Sequence, residues 1–139
     1  MKATRILAAG AAAAALSLLA TPAASAEEPQ PEFDTQAADG KLHGYYGFNR
    51  TNHCYGWESN DKDWGVCRNR VSSLWNNGYP GNYDDVWVYW GRNHSGARRG
   101  VYNGVVLNDL RKWTYDPGGA GAGEALNNNI SSHQWTNLP

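Results

Sequence analysis

The segment YYGFNRTN at residues 45–52 returns at residues 89–96 as YWGRNHSG. The offset of 44 aligns Tyr45 with Tyr89, Gly47 with Gly91, Asn49 with Asn93 and Thr51 with Ser95. Asn52 then falls opposite Gly96, and both residue types tolerate positive φ, so one folded-over hairpin accepts either. A second echo links NRVSSLW at 69–75 to NNISSHQW at 128–135. Its offset of 59 leaves about 15 extra residues in the second copy, with the glycine-rich stretch 118–123 among them. A chain that repeats itself this way must build one supersecondary unit twice. Each copy reads as an aromatic-led hairpin, a strand and a polar turn ending in Ser-Ser. Two such units packed with pseudo-twofold symmetry also account for Trp135 so near the end, because the last strand must close the second unit.

The units are made of strands. Gly, Asn and Asp interrupt every window before a helical period can build. DDVWVYWG instead alternates Val86, Val88 and Trp90 against Trp87 and Tyr89, which predicts a half-buried strand. Val101 and the run Val105–Leu107 flank Asn103-Gly104, a hairpin-type turn. RVSSLWNNG predicts a strand ending at Asn77-Gly78, and RKWTYD alternates Trp113 and Tyr115 with Lys112 and Thr114 as a further strand. Many short strands with frequent turns define an all-β sandwich or barrel.

Residues 1–26 have the form of a secretory signal peptide. Lys2 and Arg5 precede an apolar run, and Ala24-Ser25-Ala26 is an A-x-A cleavage site. The run is too short for the ~20 residues that span a bilayer, so an exported product with no membrane association is expected. Residues 27–39, acidic and carrying two prolines, read as a flexible leader or short propeptide, and residues 40–139 as the domain. Without Lys2 and Arg5, ten basic residues face 13 acidic ones, a net charge of −3. That charge argues against nucleic acid as a partner, and a monomer is expected. Cys54 and Cys67 are the only two cysteines, and an even pair in an exported chain predicts a disulfide. Seven Trp and eight Tyr against two Phe imply a small core built largely from rings.

Two units that open on an aromatic-x6-Gly hairpin and close on an Asn/Asp-Asn/Asp-x-x-Ser/Thr-Ser turn resemble the βγ-crystallin fold. Tyr89 to Gly96 fits the hairpin, and the run Asn127-Asn128-Asn129-Ile130-Ser131-Ser132 fits the turn. The first copy departs at two places, with Asn52 for Gly and Arg68 for Asn or Asp. The fold class that follows is all-β, a single βγ-crystallin-like domain of two Greek-key motifs forming a β-sandwich. Residues 67–78 and 129–135, with the signal sequence and the cysteine pair, further resemble peptidase inhibitor family thirty-six, a group of small exported bacterial proteins.

The turn motif implies an oxygen-lined cation seat. Calcium takes six to eight oxygens, including neutral ones. Asn127, Asn128 and Ser131 offer only amides and hydroxyls, so a calcium site there would be weak, and Arg68 and Arg70 oppose one at the first turn. Ser and Asn in such a turn also hydrogen-bond nearby backbone and fix the corner, with Val71 and Ile130 pointing into the core. Catalysis finds little support: no HExxH, GxSxG or Walker loop is present. Ser95, His94 and Asp84 or Asp85 make a triad only on paper, because neighbours on a hairpin point in different directions. The resemblance to the inhibitor family implies a non-enzymatic protein that sets a rigid substrate-like loop into an extracellular peptidase, a metallopeptidase in particular. The best candidate for that loop is Cys67–Arg68, where the disulfide would tether the backbone. The rival expectation is a non-inhibitory βγ-crystallin module that binds calcium, wall glycan or another exported protein, or a small secreted antimicrobial.

Overall fold

A computed structural model describes residues 29–34 and 36–139; the signal-peptide reading of residues 1–26 lies outside the described residues. Eight strands follow one another: β1 Glu32–Phe33, β2 Lys41–Tyr45, β3 His53–Trp57, β4 Ser73–Asn77, β5 Asp85–Gly91, β6 Ser95–Val101, β7 Val105–Leu107 and β8 Ser132–Thr136. They form a five-stranded sheet in the order β1-β7-β4-β2-β3 and a three-stranded sheet in the order β6-β5-β8. Every pairing is antiparallel. Among the described residues no helix is long and apolar enough to cross a membrane.

Topology and symmetry explain each other. The first half contributes β2, β3 and β4 to one sheet, and the second contributes β5, β6 and β8 to the other. Each half also sends a segment across: β7 pairs with β4 in the first sheet, and Asp61 makes an isolated bridge to His133 on β8 in the second. The two hairpins repeat residue by residue. Positive φ occurs at Asn49, Arg50 and Asn52, and again at Asn93, His94 and Gly96. Thr51 Oγ1 donates to Phe48 O at 2.8 Å, and Ser95 Oγ to Arg92 O at 2.6 Å. Single-turn 3₁₀ helices, Gly65–Cys67 and Leu110–Lys112, follow the two crossing segments.

Alternation along the strands sorts the side chains. Leu42, Leu74, Val86, Val88, Val101, Leu107, Leu126 and Ile130 are buried together with Val71, Trp57 and Trp64 in the core between the sheets. The indoles of Trp57 and Trp64 stack there at 4.2 Å and 18°. The opposite face of the five-stranded sheet carries a smaller buried cluster of Tyr45, Trp75 and Val106. Trp75 and Trp135 end the two echoed segments yet face different ways. The second segment is one residue longer, and a shift of one residue turns a strand side chain to the other face. Trp135, opposite Val86 in register, packs against the core, whereas Trp75 sits on the outer cluster.

Two expectations are corrected. RKWTYD is not a strand: Leu110–Lys112 is 3₁₀, and Thr114 makes only an isolated bridge to Ala125. The Asp109 carboxylate accepts from Arg111 N and starts that turn, a local hydrogen bond that outcompetes the strand pattern. Within the segment read as a flexible leader or short propeptide, described residues are held at three points. β1 pairs with β7, Arg50 Nη1 meets Asp34 Oδ2 at 2.7 Å, and Asn77 Nδ2 donates to Ala37 O at 3.3 Å. An edge strand offers unpaired backbone groups to any extended neighbour, and the composition of 27–39 did not reveal that partner.

The Cys54–Cys67 disulfide is formed, with Cα atoms 6.1 Å apart across a sequence separation of 13. It ties β3 to the 3₁₀ turn before the first corner. Replacing both cysteines by alanine is expected to cost about 3 kcal/mol by closing-loop entropy, read as a lower urea midpoint.

Candidate functional site

The Ser-Ser turns are corners, and each is completed by the other half of the chain. Ser73 Oγ donates to Gly47 O at 2.6 Å and accepts from Arg50 N at 2.9 Å. Ser132 Oγ repeats this with Gly91 O at 2.6 Å and His94 N at 3.1 Å. The second serine of each pair therefore fixes the positive-φ hairpin of its own motif. The first serine reaches across: Ser72 Oγ lies 3.4 Å from Asn128 Oδ1, and Ser131 Oγ lies 3.3 Å from Asn69 Oδ1. Backbone bonds run alongside, from Asn69 N to Ile130 O at 3.0 Å and from Asn128 N to Val71 O at 2.9 Å. Ser132→Ala strands a hairpin amide and a carbonyl in a fully buried place, so a loss of ~1–3 kcal/mol is expected. Ser73→Ala should cost the same, and equal shifts in thermal midpoint would check the symmetry.

This arrangement distributes Asn127, Asn128 and Ser131 between the two corners rather than gathering them. Ser131 belongs with Asn69 beside the second hairpin, in a surface pocket of ≈ 430 Å³ that Arg68, Arg92, Asn93 and Asn129 also line. Asp63 stands 3.9 Å from both Arg68 Nε and Arg92 Nη1. A dication entering there meets two guanidinium groups and no lining carboxylate, so this seat does not fit calcium. Asn128 belongs with Ser72 at the other corner. Its neighbour Asn127 has a buried Oδ1 with no hydrogen-bond partner, an acceptor lacking a donor, which makes this the better-fitting corner of the two.

The segment before the first corner presents a different feature. Trp64 and Cys67 are buried, yet Val66 between them is 77% exposed, the most exposed of the large apolar side chains among the described residues. Trp64 N donates to Ser131 O, Cys67 N to Trp64 O, Arg68 N to Gly65 O and Arg70 N to Cys67 O. Asp63 Oδ1 accepts from Gly65 N at 2.9 Å. Every turn of this loop is therefore held, by the core on one side and the disulfide on the other. The Cys67–Arg68 bond itself lies inside the hydrogen-bonded turn, with Cys67 1% exposed. The residue on display is Val66. The sequence offered a signal for it, a valine between a tryptophan and a cysteine that both had reason to be buried.

The groups considered for catalysis are engaged elsewhere. His94 Nε2 donates to His133 O at 2.8 Å, and Ser95 Oγ to Arg92 O. Asp84 accepts from Gly81 N and Asp85 from Asn103 N. His133 is fully buried; Trp64 Nε1 donates to its Nδ1 at 2.9 Å, and its Nε2 donates to Ser59 O at 2.8 Å. Burial pushes its pKa down to about 4, only partly opposed by the Ser59 carbonyl and the Asp61 charge. It is a neutral structural imidazole at pH 7.

Comparison with solved structures agrees with the architecture. A chain described as "Evolution of the eye lens beta-gamma-crystallin domain fold" superposes with a TM-score of 0.57 at 16% identity, covering 79% of this chain and 98% of the other. The N-terminal domain of Protein S matches with a TM-score of 0.49 at 16% identity, over 71% of this chain and 98% of its own. No family model and no curated protein matches the sequence. The protein thus has the βγ-crystallin domain fold, all-β with two antiparallel sheets, reached at an identity low enough that fold is all the likeness establishes.

Proposed function

We propose that this is an exported, non-enzymatic, monomeric inhibitor of extracellular peptidases, with Val66 as the anchor. The observation that carries the reading is the presentation of Val66 by a turn immobilised through buried neighbours on both sides, Trp64 and the bonded Cys67. A pre-ordered loop loses little conformational freedom on binding, so the apolar contact is realised as affinity. A single large apolar side chain on a stiff protrusion suits a hydrophobic specificity pocket, such as metallopeptidases of the thermolysin class offer. The 3₁₀ backbone makes the loop a wedge across the cleft rather than a strand laid along it, and it shields the Cys67–Arg68 bond from cleavage. The secretory sequence and the resemblance to the inhibitor family support the same assignment. Titration against thermolysin-like, subtilisin-like and trypsin-like proteases tests it. Stoichiometric inhibition of one class, abolished by Val66→Asp with the melting temperature unchanged, is the expected result. Digestion by all three, or inhibition indifferent to Val66→Asp, overturns it.

A second reading, weak calcium binding at the Ser72–Asn128 corner, is favoured by the unpartnered Oδ1 of Asn127. Millimolar calcium would then raise the melting temperature, and Asn128→Ala would remove the rise.

A further inference from the structure

The outer face of the five-stranded sheet holds a pair of histidines that the corners and the Val66 loop do not use. His43 Nδ1 and His53 Nε2 stand 2.9 Å apart. The other ring nitrogen of His43, Nε2, is 2.7 Å from Asp39 Oδ2. A local irregularity brings them together. β2 and β3 are in register from Leu42↔Trp57 to Gly44↔Tyr55, but Tyr45 then pairs with His53 instead of Cys54. This bulge gives β3 one extra residue. Without it, alternation would place His53 on the face away from His43; with it, His53 lies on the side of Tyr45 and His43 while Cys54 is released to its disulfide. Opposite His43 stands Gly56, where a Cβ would come within 3.1 Å of both Cε1 and Nδ1 of the imidazole. The glycine leaves room for that ring edge. The other side of the His43 ring rests on Trp75, stacked at 5.4 Å and 27°.

We propose that His43 Nδ1 and His53 Nε2 form a binding seat for a borderline divalent transition metal, Cu(II) above Zn(II), with Asp39 as the carboxylate that orients the first ligand. The chemistry follows from the tautomer. A carboxylate at Nε2 keeps the proton of neutral His43 on that nitrogen and leaves a lone pair on Nδ1. Asp39 is itself held, since its Oδ1 accepts from Lys41 N at 3.0 Å. His53 is exposed on an edge strand and can carry its proton on Nδ1, turning the Nε2 lone pair toward the same point. Two imidazole nitrogens bound cis to one first-row metal at ~2.0–2.1 Å stand roughly 2.9–3.4 Å apart. The pair is therefore spaced for a shared ion once both lone pairs turn toward it. Imidazole ligands select Cu(II) and Zn(II) over the oxygen-seeking calcium and magnesium, and Cu(II) is the tighter of the two. Among the described residues no group of three or more His, Cys, Asp or Glu side chains converges. Solvent thus fills the remaining positions, and the seat is an exposed, exchangeable one rather than a structural cage.

Cu(II) titration of the purified chain, followed by electron paramagnetic resonance, tests the assignment. The expected result is one equivalent bound, with hyperfine splitting from two imidazole nitrogens. His53→Ala, at an exposed position that leaves the fold intact, should weaken binding at least tenfold and leave no two-nitrogen signal. His43→Gln should do the same. Asp39→Asn should keep both nitrogens and weaken binding about 10–100-fold, the usual effect of losing an orienting carboxylate. His94→Gln, remote from the pair, should bind as the parent does. Parent-like affinity in His53→Ala, or a parent spectrum without two coupled imidazoles, overturns the proposal.

Discussion

Acidification from pH 7 to pH 4 is expected to remove about 3 kcal/mol of stability through His133 alone. In the folded chain this imidazole holds two hydrogen bonds in a site closed by Trp57, Trp64 and Trp135. A proton on Nδ1 would face the indole N–H of Trp64, donor against donor. The folded pKa is about 4 against an ordinary 6.5, so between those values the unfolded chain binds a proton that the folded chain refuses. The contribution is complete above pH 6.5 and declines as pH falls toward 4. Asp34, Asp109 and Glu124, whose pKa values are lowered by hydrogen bonds from Arg50, Arg111 and Asn129 respectively, begin to give up their contributions as pH falls through the ordinary carboxylate range, at the acid end of this window. His53, also lowered, mainly by burial and then by the His43 charge, adds a slope of the same sign from an exposed position, and His53→Ala separates the two. Urea melts at half-unit pH steps would show the slope, and His133→Leu should flatten it while lowering the plateau.

Trp64→Ala is expected to cost about 3–5 kcal/mol, the range for emptying a large buried aromatic site. Three things go at once: the stack on Trp57, the apolar volume beneath the 3₁₀ turn, and the donor to His133 Nδ1. Trp64→Phe keeps a ring and much of the volume but leaves the His133 acceptor buried and unpaired, which should cost about 1–3 kcal/mol. A difference between the two variants close to zero would mean that the hydrogen bond, not packing, sets the importance of Trp64. The alanine variant should also loosen the mount of Val66, so any inhibitory activity should fall more than residual folding accounts for.

The repeat was legible because its constraints are local. Positive φ at Asn49, Asn52, Asn93 and Gly96 demands residue types that show in the letters, and so do serines that must close a buried corner. Strands with clean alternation, such as Asp85–Gly91, were legible for the same reason. The relations between the halves were not. Nothing in Asn128 or Ser131 says that each is answered by the first turn, because the partner is chosen by the packing of two sheets. The His43–His53 pair was invisible since it depends on one bulge, and a bulge leaves no periodic trace. Phe33 and Glu32 looked like part of a loose leader because an edge strand recruits by backbone, which every sequence has.

The crossed corners carry a further implication. Neither half closes its own turn: Ser72 needs Asn128, Asn69 needs Ser131, and each sheet borrows a segment from across the axis. The minimal foldable object is therefore the couple. A gene encoding one motif would have to seek its complement in a sister molecule and would hold together only above some concentration. Joining the two in tandem makes that meeting intramolecular, so that the domain keeps its shape at any dilution.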